Sequence, residues 1–220
     1  MKRLSIAITA ALSMGAHGAE AAEYLSAKCE TALALSALPA QMRPKASVYV
    51  LTDEGFKQSV KADGPFTCIV ERNHPKSLIP QCVDAAGVEE IIPAIMHKTL
   101  LGMSGVKPAD IKADFRARAE KGEFVPPSTI GVNYMMSSYN YIYLQGPNII
   151  ANIPPHLMHY APNATNEDIK AAPNAQRQGL PHINDPGIHA YFISFVEDAS
   201  DTSAVQQACA GEVGDVPPDV

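Results

Sequence analysis

The sequence predicts an α+β fold, with one or more antiparallel sheets, an N-terminal helix and a central helical pair. Short β-branched and aromatic runs, separated by turn residues, occupy the first and last parts of the chain. Two segments with proline in their first turn have helical patterns near the middle. An apolar stripe with four-residue spacing lies near the N-terminus. No linker divides these parts, so residues 22–220 are expected to form a single domain with long loops.

The first residues predict export. Lys2 and Arg3 precede an apolar run, and small residues follow it up to Ala21. This order is typical of a signal peptide over residues 1–21. We favour cleavage after Ala21, with cleavage after Gly18 or Ala19 as the alternatives. The apolar run is shorter than the ~20 residues that span a bilayer. We therefore expect a periplasmic or secreted protein whose mature form does not insert into a membrane.

The first half is expected to contain a helix followed by an antiparallel meander. Leu25, Cys29, Leu33 and Ala37 recur every four residues within residues 22–39, which predicts the N-terminal helix. Turn residues separate the β-branched runs that follow it. The expected strands are residues 46–52, 56–62, 66–72, 79–85 and 88–92.

The second half is expected to begin with two helices and to return to strands. Pro93 and Pro108 each suit the first turn of a helix, and Gly102 and Gly122 suit the ends of these helices. Thr165 with Asp168 resembles a capping box and predicts another helix. The extended segments are residues 128–138, 139–155, 156–161 and 189–198, and residues 171–187 are expected to be a loop.

The four cysteines predict two disulfides, because an even number in an exported chain favours pairing. Four cysteines allow three pairings. We favour Cys68 with Cys82, since both lie in extended segments separated by a loop, and then Cys29 with Cys209, which would join the two ends of the domain. The chain has no Cys-x-x-Cys spacing, which argues against a cysteine zinc module.

The charge of the chain argues against a nucleic-acid partner. Without the expected signal peptide, 15 basic and 22 acidic residues remain, for a net charge of −7. A nucleic-acid-binding protein would need a basic face. The expected partners are instead a small molecule or a metal ion.

The histidines predict a metal or ligand pocket. In a strand, alternation places His156 on the face of Met158 and Tyr160, and His159 on the other. The last strand would place His189 beside Tyr191 on one face. The candidate metal ligands are His156, His189, His182 and Asp185, which would suit zinc or, with Met158, copper. Alternatively, His156 and His189 lie at the edge of the core and bond to backbone carbonyls.

A group of tyrosines predicts a surface that stacks on a ligand. Tyr139, Tyr141 and Tyr143 lie on one side of an extended segment, and Tyr160 and Tyr191 accompany the histidines. Such a row would suit an aromatic ligand or a sugar. The alternative is a solvated sheet face, which is the more frequent role of such residues.

Two function classes remain open. The first is an envelope protein that binds a metal or a small ligand in a histidine-lined pocket. The second is a secreted hydrolase that uses a metal-bound water or a serine near a histidine, with Ser137 or Ser138 in reach. The chain contains no Gly-x-Ser-x-Gly elbow and no glycine-rich phosphate loop, so nucleotide binding is not expected.

Four phrases resemble a family of exported bacterial proteins to which we attach no activity. They are "GPFTCIVER", "PQCVDAAG", "PPHLMHYAPNATNEDI" and "GLPHINDPGIHAYFI". The resemblance extends over residues 38–196 and implies export and a single domain. It implies no cofactor and no catalytic residue.

Overall fold

The computed structural model describes residues 24–213. The expected signal peptide, residues 1–21, lies outside them. The α+β prediction is confirmed, with the N-terminal helix and the central helical pair in place. The α-helices are α1 (Ala27–Leu35), α2 (Ile92–Met103), α3 (Pro108–Glu120) and α4 (Ser203–Ala208), and Ala40–Lys45 and Ala175–Gln178 form short 3₁₀ helices. The strands are β1 (Ser47–Thr52), β2 (Gly55–Val60), β3 (Phe66–Glu71), β4 (Ile79–Asp84), β5 (Val132–Met135), β6 (Tyr141–Leu144), β7 (Ile149–Asn152), β8 (His156–Tyr160), β9 (His182–Asn184) and β10 (Tyr191–Phe195).

Eight strands form one mixed sheet in the order β2-β1-β3-β4-β5-β8-β10-β9, and β6 and β7 form a separate hairpin. The expected meander is wrong at one step, because β1 pairs with β3 in parallel. The polar side chains of β2 are exposed, whereas β3 is almost entirely buried. An edge position suits the polar strand, and the buried strand needs a neighbour on each side. Residues 88–92 form turns and the start of α2 rather than a strand.

The two faces of the large sheet are covered by different helices. Cross-strand partners lie on the same face, so the paired Cys68 and Cys82 both point towards α1 and its apolar cluster. Ile69 and Val83 lie on the opposite face and pack with Ile91, which precedes α2, and with Ile95 of α2. The sheet therefore lies between a layer of α1 and α4 and a layer of α2 and α3.

Helix α1 is shorter than the predicted helix, residues 22–39, and the predicted stripe is buried at Cys29, Leu33 and Ala37 and half-buried at Leu25. Its N-cap, Ser26, accepts a hydrogen bond from the Cys29 amide at 3.2 Å. Glu30, which is also buried, pairs with Arg72 at the end of β3 at 2.5 Å. The helix is thus fixed to the sheet by apolar packing and by a buried ion pair.

Both disulfides have the pairing that the sequence predicts. Cys29 of α1 is bonded to Cys209, which follows α4, and Cys68 of β3 is bonded to its cross-strand partner Cys82 of β4. The second bridge closes a loop of roughly 15 residues, which is worth ~3 kcal/mol in the chain-entropy account. Two disulfides fit a protein of an oxidising compartment. Over residues 24–213, no helix has the length and apolar character needed to cross a bilayer.

Between β8 and β10 the structure differs from the prediction. The capping-box hydrogen bonds do form, since the Thr165 amide donates to the Asp168 carboxylate at 2.8 Å and the Asp168 amide donates to the Thr165 hydroxyl at 3.4 Å, but only turns follow directly. Lys170 has a positive φ of 51°, which stops a helix there. The side chain of Asn166 instead bonds to both backbone groups of Ile183, at 2.7 and 3.1 Å. Part of the expected loop thereby becomes β9.

Candidate functional site

A cavity of about 390 Å³ lies between the sheet and the layer of α2 and α3. The sheet forms one wall, the two helices form another, and the β6–β7 hairpin contributes Ile142 and Leu144. Exposed residues at its rim include Lys112, Gln176 and Asp185. The inner wall is mainly apolar and includes Ile79, Ile95, Ile111, Met135, Met158 and Ile193. This size and character are typical of small-molecule sites.

Strand alternation decides which residues of β8 reach the cavity. His156 is paired with Met135 on one side and Phe195 on the other, and all three line the cavity. Met158 is two residues further along β8 and lies on the same face. His159 is not part of the lining, and its ring lies 6.2 Å from that of Phe192. His156 and His159 therefore lie on opposite faces, as their spacing in a strand predicts.

His156 and His182 share one local geometry. Each follows a proline and begins a strand, in "PPH" before β8 and in "LPH" before β9. The Nδ1–H of His156 donates to the Pro154 carbonyl at 2.7 Å, and that of His182 donates to the Leu180 carbonyl at 3.0 Å. Proline has no N–H and cannot donate to the ladder, and each strand begins at the histidine that follows. Each ring centre lies 5.9 Å from that of Phe195.

The tautomer of both histidines follows from these bonds. A carbonyl oxygen only accepts, so Nδ1 carries the proton in each ring, and the neutral ring then has a lone pair at Nε2. Both residues are 5 % exposed, and both line the cavity. Burial lowers the pKa of His156 below its ordinary value, and the nearby His182 adds to that effect. His156 is therefore neutral near pH 7.

His189 and Asp185 have protein partners of their own. His189 lies before β10 rather than within it, and its Nε2–H donates to the Val125 carbonyl at 2.8 Å. Burial lowers the pKa of this histidine too. Asp185 forms an ion pair with Lys112 at the rim. Both residues line the same cavity as His156, but each already has a polar partner.

The four predicted metal ligands share a cavity without forming a metal cluster. Within residues 24–213, no group of three or more histidine, cysteine, aspartate or glutamate side chains has the arrangement that holds a metal ion. One reason is that His189 is hydrogen-bonded to Val125 and Asp185 is paired with Lys112. The alternative from the sequence, in which the histidines bond to backbone carbonyls, describes His156 and His189 and also His182.

A buried polar network, which the sequence did not indicate, forms the far part of the wall. Glu71 pairs with Lys98 of α2 at 2.9 Å and accepts from the Gln81 amide at 2.6 Å. Gln81 in turn accepts from Asn133 at 2.5 Å. Tyr191 lies beside this network. Burial raises the pKa of the Tyr191 hydroxyl, and the charge of Glu71 raises it further. Only the pairing of β3, β4 and β5 brings these groups together.

Asn140 is a second cavity residue that the sequence did not indicate. Its Nδ2 donates to the carbonyls of Met135 and Ser137, at 2.9 and 3.0 Å. These two bonds fix the orientation of the amide. Its Oδ1 is buried and has no hydrogen-bond partner among the described residues.

The predicted tyrosines separate into different environments. Tyr139 and Tyr141 are buried in the apolar cluster of α1, because β6 turns its other face, with Ile142 and Leu144, to the cavity. Tyr143 stacks on His74 at 4.3 Å. The Tyr160 hydroxyl donates to Asp84 at 2.9 Å, away from the cavity. Of the five, Tyr191 alone is part of the cavity wall.

The serine version of the hydrolase hypothesis has no nucleophile at this site. The described residues that line the cavity include no serine, threonine or cysteine. Ser137 is buried, and its hydroxyl accepts from that of Ser36, the C-cap of α1, at 2.7 Å. A histidine of the cavity therefore has no serine, threonine or cysteine among these lining residues to activate.

Comparisons of the chain with protein-family models, with curated proteins and with solved structures find no match. The resemblance to exported bacterial proteins stays an expectation from the sequence.

Proposed function

We propose that this is an exported protein of the periplasm or the medium that binds a small, mainly apolar organic molecule without turnover. The observation that carries the proposal is the cavity between the sheet and α2 and α3, with its apolar wall and its few buried polar groups. Ligand sites commonly combine such a wall with a small number of polar groups that orient the ligand. The two disulfides support an oxidising compartment.

Binding of an organic ligand has more support than binding of a metal. Of the four predicted metal ligands, His189 and Asp185 are already bonded within the protein. Zinc sites need three or four protein ligands. Binding without turnover has more support than hydrolysis, since the cavity offers no serine nucleophile among its described residues.

The test is a screen of one- and two-ring aromatic and aliphatic fragments by saturation-transfer NMR. Fragments should bind the wild type, and Ile142→Phe should weaken them by about tenfold or more, since its added ring would occupy the cavity. Ile150→Phe is the matched control. It makes the same exchange in the same hairpin, but Ile150 is paired with Tyr143 on the opposite face. Thermal melting would check that both variants fold.

Two results would contradict the proposal. One is the absence of fragment binding to the wild type, and the other is equal weakening by both variants. Calorimetry with zinc and copper salts is run alongside. Stoichiometric metal binding that is lost in His156→Ala and retained in His159→Ala would assign the site to a metal instead.

A further inference from the structure

Three polar atoms of buried residues in the cavity wall share one chemical property. His156 and His182 each use the Nδ1 proton on a backbone carbonyl, which leaves a lone pair at Nε2. Neither Nε2 has a hydrogen-bond partner among the described residues. Asn140 uses both amide protons on carbonyls, and its buried Oδ1 also lacks a partner there. All three atoms accept hydrogen bonds, and none can donate.

Three donors of the same wall are engaged by the protein. The Gln81 amide donates to Glu71 at 2.6 Å, and the Asn73 amide donates to the Tyr143 carbonyl at 2.9 Å. His189 donates its Nε2–H to Val125. Among the atoms named here, those without a partner are therefore acceptors; the Tyr191 hydroxyl, which also lines the cavity, can donate or accept.

From this imbalance we propose that the ligand is a mainly apolar molecule bearing hydroxyl groups, an alcohol or a phenol, that donate to Nε2 of His156 and His182. The inference rests on the proposed function. An unpaired acceptor in a buried site is costly, so a ligand that supplies the missing donor is favoured over one that does not. The phenyl ring of Phe195, between the two histidine rings, provides the apolar contact next to these groups.

The test compares three probes of one ring system: a dihydroxynaphthalene, its dimethyl ether and naphthalene. The ether retains the oxygens but cannot donate. The diol should bind wild-type protein about tenfold or more tightly than the ether, as expected for lost bonds to buried acceptors. His156→Phe and His182→Phe should each bring that ratio closer to one while naphthalene affinity is retained. His159→Phe, on the other face, should leave the ratio unchanged.

A second measurement does not depend on the variants. Long-range nitrogen–proton NMR of the ligand-free wild type should show His156 and His182 protonated at Nδ1. Addition of the diol should shift their Nε2 resonances, and addition of naphthalene should shift them much less.

The outcomes distinguish the two proposals. If naphthalene, the ether and the diol bind alike, the cavity binds apolar molecules and the hydroxyl preference is overturned. If the Nε2 atoms carry the protons, it is overturned as well. If none of the probes and none of the fragments binds, both proposals are overturned. If zinc or copper binds the wild type and this binding is lost in both His156→Phe and His182→Phe, the site binds a metal and the hydroxyl preference is overturned.

Discussion

At the scale of single residues, a proline followed by a histidine has the largest local consequence. It positions the ring of His156 at the first residue of β8 and that of His182 at the first residue of β9. Alternation along β8 is a local property, so the sequence predicted that His156 and His159 would lie on opposite faces. The partner of a histidine Nδ1 is also local, since it is the carbonyl two residues earlier. The phrases "PPH" and "LPH" were therefore a signal available in the sequence.

The burial of His156 predicts a pH dependence of folding stability. Burial lowers its pKa in the folded state below the ordinary 6.5, so the unfolded chain binds a proton more readily. The contribution of neutral His156 to folding stability is complete above pH 6.5 and is lost as the pH falls through the lower folded-state pKa. Urea unfolding at pH 7.5 and pH 5.5 should show this loss, and His156→Phe should reduce it.

His159→Phe is the control for this prediction and should retain the full loss. His74 and His189 also have pKa values lowered by burial, so the His156 variant should remove only part of the pH dependence. An unchanged difference between the two pH values in His156→Phe would contradict the prediction.

At the scale of elements, the cavity depends on where α2 contacts the sheet. The Thr99 hydroxyl accepts from the Arg72 amide at 3.1 Å, and Gly102 lies against the Arg72 carbonyl. A Cβ on Gly102 would be 2.3 Å from that carbonyl oxygen. The glycine was expected from the sequence only as the end of a helix. The contact of Gly102 with the end of β3 is non-local, and no pattern in the sequence indicated it.

We predict that Gly102→Ala destabilises the protein. Alanine would gain up to about 1 kcal/mol of helix propensity, but its methyl group would push α2 away from β3. Overpacking of this kind typically costs about 1–3 kcal/mol, so the expected net change is a loss of stability in urea unfolding. Gly146→Ala is the control, because nothing lies within 4 Å of its Cβ and its φ is not positive. Equal stability of Gly102→Ala and the wild type would contradict the close contact.

At the scale of the whole molecule, the sequence predicted the elements better than their arrangement. Strands β3, β4 and β8 follow from alternating or β-branched runs, and α2 and α3 from their prolines. The parallel contact of β1 with β3 is set by which strand is buried on both sides, and this depends on residues far apart in the chain. The network of Glu71, Gln81 and Asn133 depends on the same strand order, so no local pattern could indicate it.

The Cys29–Cys209 bridge also determines how the molecule would respond to mechanical force. It spans 180 residues, including the whole sheet, and both of its cysteines lie near the limits of the described chain. A pull on handles at Tyr24 and Val213 would pass through α1 and the sulfur atoms and would not stretch the strands between them. In single-molecule stretching, reduction of this bridge alone should release roughly 550–600 Å of extra length at ~3.3–3.6 Å per residue, because the intact Cys68–Cys82 bridge keeps 14 of the 180 residues from extending. The oxidised protein should release almost none, and a long extension without reductant would contradict this load path.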